Sequence, residues 1–513
     1  MKPSNRAFIN TVIQYISLLI NVLLGLISVR IILDALGASD YGIYDVIGGV
    51  IGLLSFVSAS LSQTSLRYLS VSLGQNNAET TRYTFRTCFW LHLYMSIVLV
   101  AILSIFGIFL FDGFLNIPKS RLLSAKIVYM CMLLSLFLRI CATPFSALIT
   151  ANEHFWYTST IGIIDSILKL VVAIVVKAYM GDKLFVYGIL MVFITFLNSI
   201  LYLLYCNKQY KSIIEFKKVP FLAMRNISGF AGWTLLDVLS SIVNRQGYAI
   251  LLNKFFGPTV NASFALSRQL EGHVYTISAS AINSMKPQIM KSQGAGDSNR
   301  VYRLSITAGK MGFFLMSFIT IPLVVLMPDI LSLWLKQIPI GTVEFARLLI
   351  IACMAEQLTK GLFYANQAVG NIKWFSIVVS SIRMLALPTS VFFLLLGFNA
   401  TTAILIFLVF ETIGSICRVY LLSIITEFKT SMFIQSFVYN VLPPTIVTLF
   451  SCCIFYFFIK EHISIVGIFL VTAGINAVSI YFWGLTKEEK QYFQDLNNTF
   501  TRKLQSIARE IIG

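Results

Sequence analysis

LGASDYGIYDVIGGVIGLLSFVSASLSQTSLRYLSVSLGQNN, residues 36–77, occurs twice in outline along this 513-residue chain. The gapless shift that brings Gly37 onto Gly257 also brings Gly52 onto Gly272, and Val57-Ser58-Ala59-Ser60 onto Ile277-Ser278-Ala279-Ser280. The same shift brings Ser72 onto Ser292 and Gly74 onto Gly294. Each copy has the same layout: a glycine turn, an apolar body, then a polar run carrying Arg67 or Lys291. An apolar body of roughly 20 residues is long enough to cross a bilayer as a helix.

The rest of the chain has the same texture. It is 57% hydrophobic and 12% charged, with a mean hydropathy of +0.81. Backbone polar groups in lipid must be paired within the protein, so spanning segments are helices or closed barrels. Barrel strands alternate apolar and polar residues, whereas these segments are continuously apolar, which selects helices. The reading is fourteen spans, near 8–33, 41–63, 87–111, 125–149, 158–180, 184–206, 227–251, 259–284, 305–327, 345–366, 373–397, 400–425, 437–459 and 463–485. The repeat shift carries each of the first six spans onto one of the next six. Six is even, so both halves keep one orientation and form a parallel repeat about the membrane normal, a plan that places substrate sites between halves. The expected lobes are 1–215 and 216–430, followed by two extra spans and a tail in 431–513.

Charge sets the orientation. Basic residues crowd the segments on the N-terminal side: Lys2, Arg6, Arg67, Arg82, Arg86, five between Lys208 and Arg225, five between Lys286 and Lys310, then Lys373, Lys429 and the tail after 486. The opposite side holds only Lys119, Arg121, Lys126, Lys183, Lys254, Lys336 and Lys460. By the positive-inside rule both termini are expected in the cytoplasm. The net charge of +17 then reads as a surface facing anionic lipid, and nucleic acid is not needed to explain it.

Catalysis finds little support. The chain has no P-loop, GxSxG or HExxH, only four histidines, and no long external loop. The eight cysteines show no CxxC spacing and read as packing residues, so no metal or other cofactor is expected. The N-terminal apolar run is too long for a signal-peptide core and reads as the first span.

Ionisable groups inside spans are costly and read as functional by default. Asp165 with Lys169 and Glu356 with Lys360 have i,i+4 spacing and can pair along their own helices. Lys177 and Arg347 lie near span ends, where their stems let them reach the headgroups. In the seventh span Asp237, Ser241, Asn244, Arg245 and Tyr248 fall on one helical face; in the eighth, Arg268, Glu271, Tyr275 and Ser278 fall on another. Both faces are expected to line a wet cavity, with pairing of Arg268 and Glu271 as the alternative. Arg139 and Arg383 sit near mid-span without an obvious local acid, and Arg30 lies near the outer end of the first span. An excess of arginine suits an anion, since the guanidinium fork matches phosphate oxygens. The candidate substrate residues are therefore Arg30, Arg139, Arg245, Arg268, Arg383 and Asn244, with Asp237 and Glu271 as ion-coupling candidates.

The 36–77 segment, through Gly37, Tyr41, Gly42, Tyr44 and Arg67, resembles the start of bacterial polysaccharide flippases of the Wzx type, including those for O-antigen. These belong to the multidrug/oligosaccharidyl-lipid/polysaccharide exporter superfamily. The resemblance implies a V-shaped fold in the bacterial inner membrane, with the first two spans of each lobe lining a central cavity. Those spans carry Arg30, Asp45, Asp237, Arg245, Arg268 and Glu271. It also implies an undecaprenyl-diphosphate-linked oligosaccharide as substrate, a proton or sodium ion as coupling partner, and polymerase or ligase machinery as further partners. A multidrug/cation antiporter of the same fold is the alternative, and it predicts an acidic cavity. A membrane polymerase would need a long external loop, and a scaffold would leave the buried charges unexplained.

Overall fold

A computed structural model describes residues 3–53, 55–111, 117–335, 337–459 and 464–491. Lys2, Lys336, Lys460 and the tail after 491, which bear on the charge asymmetry, lie outside the described residues, as does His462. The helices are α1 (Pro3–Leu53), α2 (Ser55–Gly74), α3 (Ala78–Phe109), α4 (Leu122–Ala151), α5 (Phe155–Ala178), α6 (Lys183–Gln209), α7 (Phe221–Gly294), α8 (Ser298–Val325), α9 (Met327–Trp334), α10 (Thr342–Val369), α11 (Lys373–Leu395), α12 (Ala400–Ile425), α13 (Thr430–Ser436), α14 (Leu442–Ile454) and α15 (Ile465–Ser479). Among the described residues twelve helical stretches are long and apolar enough to cross a membrane. The 74-residue α7 bends at Gly257 and makes two passes, a thirteenth in all; the stretch from Gly37 to Gly74 supplies a fourteenth.

The bends show the repeat most directly. Gly37 (φ 74°, ψ 165°) and Gly257 (φ 81°, ψ −176°) occupy a backbone region essentially closed to residues with a Cβ. What the sequence suggests as loops before the second and eighth spans are single kinked residues in otherwise continuous helix. The polar runs near 64–86 and 285–304 are likewise mostly helix, broken by short turns. Those turns match residue for residue. Asn76 (φ 53°) and Gly296 (φ 77°) are both left-handed, and Asn77 and Asp297 cap α3 and α8 by accepting from backbone N–H groups. The same offset carries Leu122, the start of α4, onto Thr342, the start of α10, and it carries the start of α5 to within two positions of the start of α11.

In the first bundle α1 packs on α5, α4 on α6 and α3, and α2 on α4. In the second, α10 packs on α7, α8 and α12, and α11 on α12 and α7. The bundles meet along α2 and both passes of α7. At the end carrying the basic runs the approach is so close that a Cβ on Gly74 would lie 2.1 Å from the Lys291 carbonyl oxygen. A Cβ on Gly294 would lie 2.0 Å from that of Val71. Val71 and Lys291 are themselves repeat equivalents, so the contact is reciprocal, as at a two-fold interface. Polar contacts close the same end. Arg67 donates to the carbonyls of Gln367 (2.8 Å) and Ala368 (3.2 Å), Lys291 pairs with Glu153 (2.8 Å), and Gln288 donates to Glu153 (3.1 Å). Further up, Thr11 bonds Ser284 (2.7 Å) and Ser60 donates to Ala231 O (2.6 Å). Among the described residues no hydrogen bond joins the bundles across the other half, where Leu23, Leu26, Arg30, Arg245 and Ile250 are exposed. The fold is a V closed at its basic end. The last two passes pack on α8, where Asn476 donates to Ser317 (2.8 Å).

Candidate functional site

The two passes of α7, with α10, α11 and α12, enclose a polar cavity of about 190 Å³. Its wall includes Ser241, Asn244, Arg245, Arg268, Glu271, Tyr275, Glu356, Lys360, Arg383 and Glu411. Four basic side chains there face three carboxylates, and the buried Arg418 stands behind them as a fifth cation. The cavity lies within the second bundle, not between the bundles as the repeat suggests.

Most of these charges hold one another. Arg383 donates to Glu356 (2.8 Å) and through Nε to Glu411 (3.0 Å), and its Nη2 also pairs closely with Glu411. Arg418 lies 3.6 Å from both carboxylates and donates to Thr359 (3.2 Å). Lys360 pairs with Glu356 (2.8 Å). The reading of Arg383 as an unpaired guanidinium is thus corrected: no acid lies within α11 itself, and its partners come from the helices before and after it, α10 and α12. In the sequence Glu411 and Arg418 carry no pairing signal, and Glu356 only its i,i+4 relation to Lys360. Matching each unpaired arginine against acids on every other span would have found them.

The polar face of the seventh span divides. Asp237 is buried and accepts from Ser376 (2.9 Å) and Ser380 (2.8 Å), Asn244 donates to Arg383 O (3.0 Å), and Tyr248 bonds Ser390 (2.8 Å). These three form a seam with α11, and Asp237 does not line the cavity; of them only Asn244 reaches it. Ser241 and Arg245, one strip around the helix, face the cavity. A helical face about 100° wide is broad enough to meet both a neighbour and a void. Arg245 is exposed and makes no hydrogen bond or ion pair among the described residues.

On the eighth span Arg268, Glu271 and Tyr275 line the cavity, whereas Ser278 is fully buried against Gly312. Arg268 does pair with Glu271 (3.3 Å), so the i,i+3 pairing and the cavity lining hold together, and its guanidinium lies over Phe407. Its Nε is buried without a partner among the described residues.

The remaining arginines lie elsewhere. Arg139 lines a separate pocket in the first bundle. Arg30 is exposed on α1, one helical turn before Asp34, which pairs with Lys177 (2.6 Å). Arg347 does not reach outward; it donates to the carbonyls of Val324 (2.8 Å) and Val325 (3.2 Å), which end α8. The i,i+4 pair Asp165–Lys169 forms at 2.7 Å. Asp45 is exposed on α1. Among the described residues no cluster of His, Cys, Asp and Glu could hold a metal ion, and all eight cysteines are free.

Residues 31–341 match the family described as polysaccharide biosynthesis protein. No curated protein matches the chain. Among solved structures it is similar to a MATE crystallised in the bent conformation (TM-score 0.73, 11% identity, 85% of this chain and 97% of that one). It is also similar to a MOP superfamily transporter from Pyrococcus furiosus, described as having a binding pocket of reverse polarity that suggests a different function (TM-score 0.70, 11% identity, 84% and 97%). A third similar structure is the MATE transporter ClbM in complex with Rb+ (TM-score 0.67, 13% identity, 83% and 96%). At these identities the likeness establishes the fold.

Proposed function

This chain belongs to the polysaccharide biosynthesis protein family, and from that premise we propose that it flips an undecaprenyl-diphosphate-linked oligosaccharide across the bacterial inner membrane. The observation that carries the reading is the cavity of the second bundle. Its basic groups outnumber its carboxylates, and Arg245 stands unpaired at its wall. Glu271 acts on Arg245 across the cavity without forming an ion pair with it; a cation at membrane depth costs roughly 2.5–3.5 kcal/mol on insertion scales, and a diphosphate supplies the contacting anion. Arginine engages phosphate oxygens through two parallel hydrogen bonds, where lysine offers a point charge. The buried quartet of Arg383, Arg418, Glu356 and Glu411 fixes the wall against which the head sits, while Arg245 and Arg268 engage it.

The lobes of this reading are 1–215 and 216–430, with 431–513 as an appendage and both termini cytoplasmic. Glu271, paired with Arg268 inside the cavity, is the better coupling candidate, because binding of an anion at Arg268 competes directly with that pair. Asp237, enclosed by Ser376 and Ser380, is reached only if α7 and α11 part. The antiporter alternative asks for an acidic cavity, and the basic excess opposes it.

The test is complementation of a flippase-deficient strain, with protein level checked by immunoblot. Arg245→Ala and Arg268→Ala are each expected to abolish surface polysaccharide at normal expression, and Arg245→Lys to restore part of it. Full activity of the Arg245→Ala, Arg268→Ala double variant refutes the anion site.

A further inference from the structure

The first bundle holds its own polar pocket, walled by α4, α5 and α6 and about 430 Å³ in volume. It is walled by the repeat equivalents of α10, α11 and α12, but lies nearer the basic end than the charged cavity, which both passes of α7 also line. Asp165 sits as far from the start of α5 as Arg383 sits from the start of α11, and each lines its own bundle's pocket. The chemistry of the two pockets has diverged. The second is crowded with mutually paired charges and is small; the first is over twice as large and carries five hydroxyls and one amide beside Arg139, Asp165 and Lys169.

The donors and acceptors of the first pocket can be sorted. Asp165 is already engaged, by Lys169 (2.7 Å) and by Asn198 Nδ2 (2.7 Å). Asn198 Oδ1 is buried with no partner among the described residues. Thr143, Thr195 and Ser199 spend their protons on the carbonyls of Arg139, Met191 and Thr195 in their own helices, so their oxygens present lone pairs to the pocket. The Tyr202 hydroxyl is the one neutral donor left on the wall among the described residues, so the wall asks chiefly for a ligand rich in O–H or N–H donors. One cation is left over: the Arg139 guanidinium is exposed on the pocket wall and has no hydrogen bond or ion pair among the described residues. Arg139 and Lys169 repel a metal ion or an amine. An inorganic phosphate satisfies Arg139 but meets a wall of acceptors. The volume lies within the roughly 300–1,000 Å³ of small-molecule sites, whereas the second bundle's cavity falls below it.

The geometry points to a carbohydrate subsite in the first bundle that takes a sugar ring bearing one carboxylate. The carboxylate seats on the Arg139 fork, and the ring hydroxyls donate to Asn198 Oδ1 and the threonine and serine oxygens. The inference rests on the transport reading and adds to it a division of labour, with the charged head held by one bundle and the glycan by the other.

The test uses full-length protein in nanodiscs and a matched pair of probes, methyl β-glucuronide and methyl β-glucoside, which differ only in the carboxylate. Saturation-transfer NMR reads binding. The glucuronide is expected to receive saturation at concentrations at least about tenfold below those the glucoside needs, as a charge-assisted fork contact requires. Arg139→Gln should erase that preference and Arg139→Lys restore part of it. Asn198→Asp should weaken the glucuronide through like charge. Arg139 makes no side-chain hydrogen bond or ion pair among the described residues, and unchanged helical circular dichroism and gel-filtration profile confirm that its variants fold. Equal binding of the two probes to the wild type, or an undiminished preference in Arg139→Gln, overturns the proposal. If neither probe binds while the same protein moves lipid-linked oligosaccharide in proteoliposomes, the pocket holds only water and the transport reading stands. If the glucuronide binds through Arg139 but nothing lipid-linked is moved, the subsite stands and the transport reading fails.

Discussion

Arg245 and Arg383 share a cavity wall and differ in what surrounds them. Arg383 is nine-tenths buried and answered by two glutamates, so its deletion leaves buried carboxylates uncompensated. Removing one partner of a buried pair costs about 3–5 kcal/mol. Arg383→Ala should therefore lower the detergent-solubilised unfolding midpoint and reduce protein level. Arg245→Ala should leave both nearly unchanged, since Arg245 makes no hydrogen bond or ion pair among the described residues. Differential scanning fluorimetry separates the two, and equal destabilisation would show that Arg245 is structural after all. The sequence places both residues at membrane depth but cannot tell them apart. The acids that answer Arg383 come from α10 and α12, and no spacing within α11 announces them.

At the scale of elements the glycines divide into two kinds with different predicted effects. Gly37 and Gly257 have open space where a Cβ would go, yet their backbone conformation excludes one. Ala at either site should cost about 1–3 kcal/mol through backbone strain, seen as a lower unfolding midpoint. Gly74 and Gly294 are the reverse: ordinary helical backbone, with a carbonyl of the other bundle 2.1 Å and 2.0 Å from the added Cβ. Gly294→Ala should force the bundles apart at the basic end. A cysteine at Ser284 on a cysteine-free background, buried in the closed form, should then label faster with a maleimide from the basic side. Unchanged labelling would mean that the helices absorb the methyl without opening. The repeat drew attention to all four glycines. Which were needed for conformation and which for contact depended on φ and on the neighbour across the interface.

For the molecule as a whole, closure of the basic end requires that transport break the contacts there. Cross-linking cysteines placed at Thr11 and Ser284, whose hydroxyls lie 2.7 Å apart, should arrest polysaccharide export, and a reductant should restore it. Export that continues under full cross-linking would mean that this end need not open. Orientation is tested separately: cysteines at Lys211, Asn299 and Thr486, all exposed, should label only from the cytoplasm.

Helix number, membrane residence, parallel repeat and family resemblance were all legible in the sequence. They depend on local quantities: runs of apolar residues, glycine where φ must be positive, and the spacing between repeated turns. The match of Asn77 and Asp297 as caps at equivalent positions of the two repeats shows how far that local grammar extends. Helical spacing also put Asp237, Asn244 and Arg245 on a common face, but it could not say what that face would meet. Serines of α11 met Asp237, the main chain of α11 met Asn244, and open cavity met Arg245. The tertiary structure alone decided that the charged cavity lies inside the second bundle, that Arg139 belongs to a different pocket, and that the V is shut at its basic end. The physical reason is that a charge at membrane depth is satisfied by whichever helix packs beside it, and the packing of helices far apart in the chain is not written in the period of any one of them.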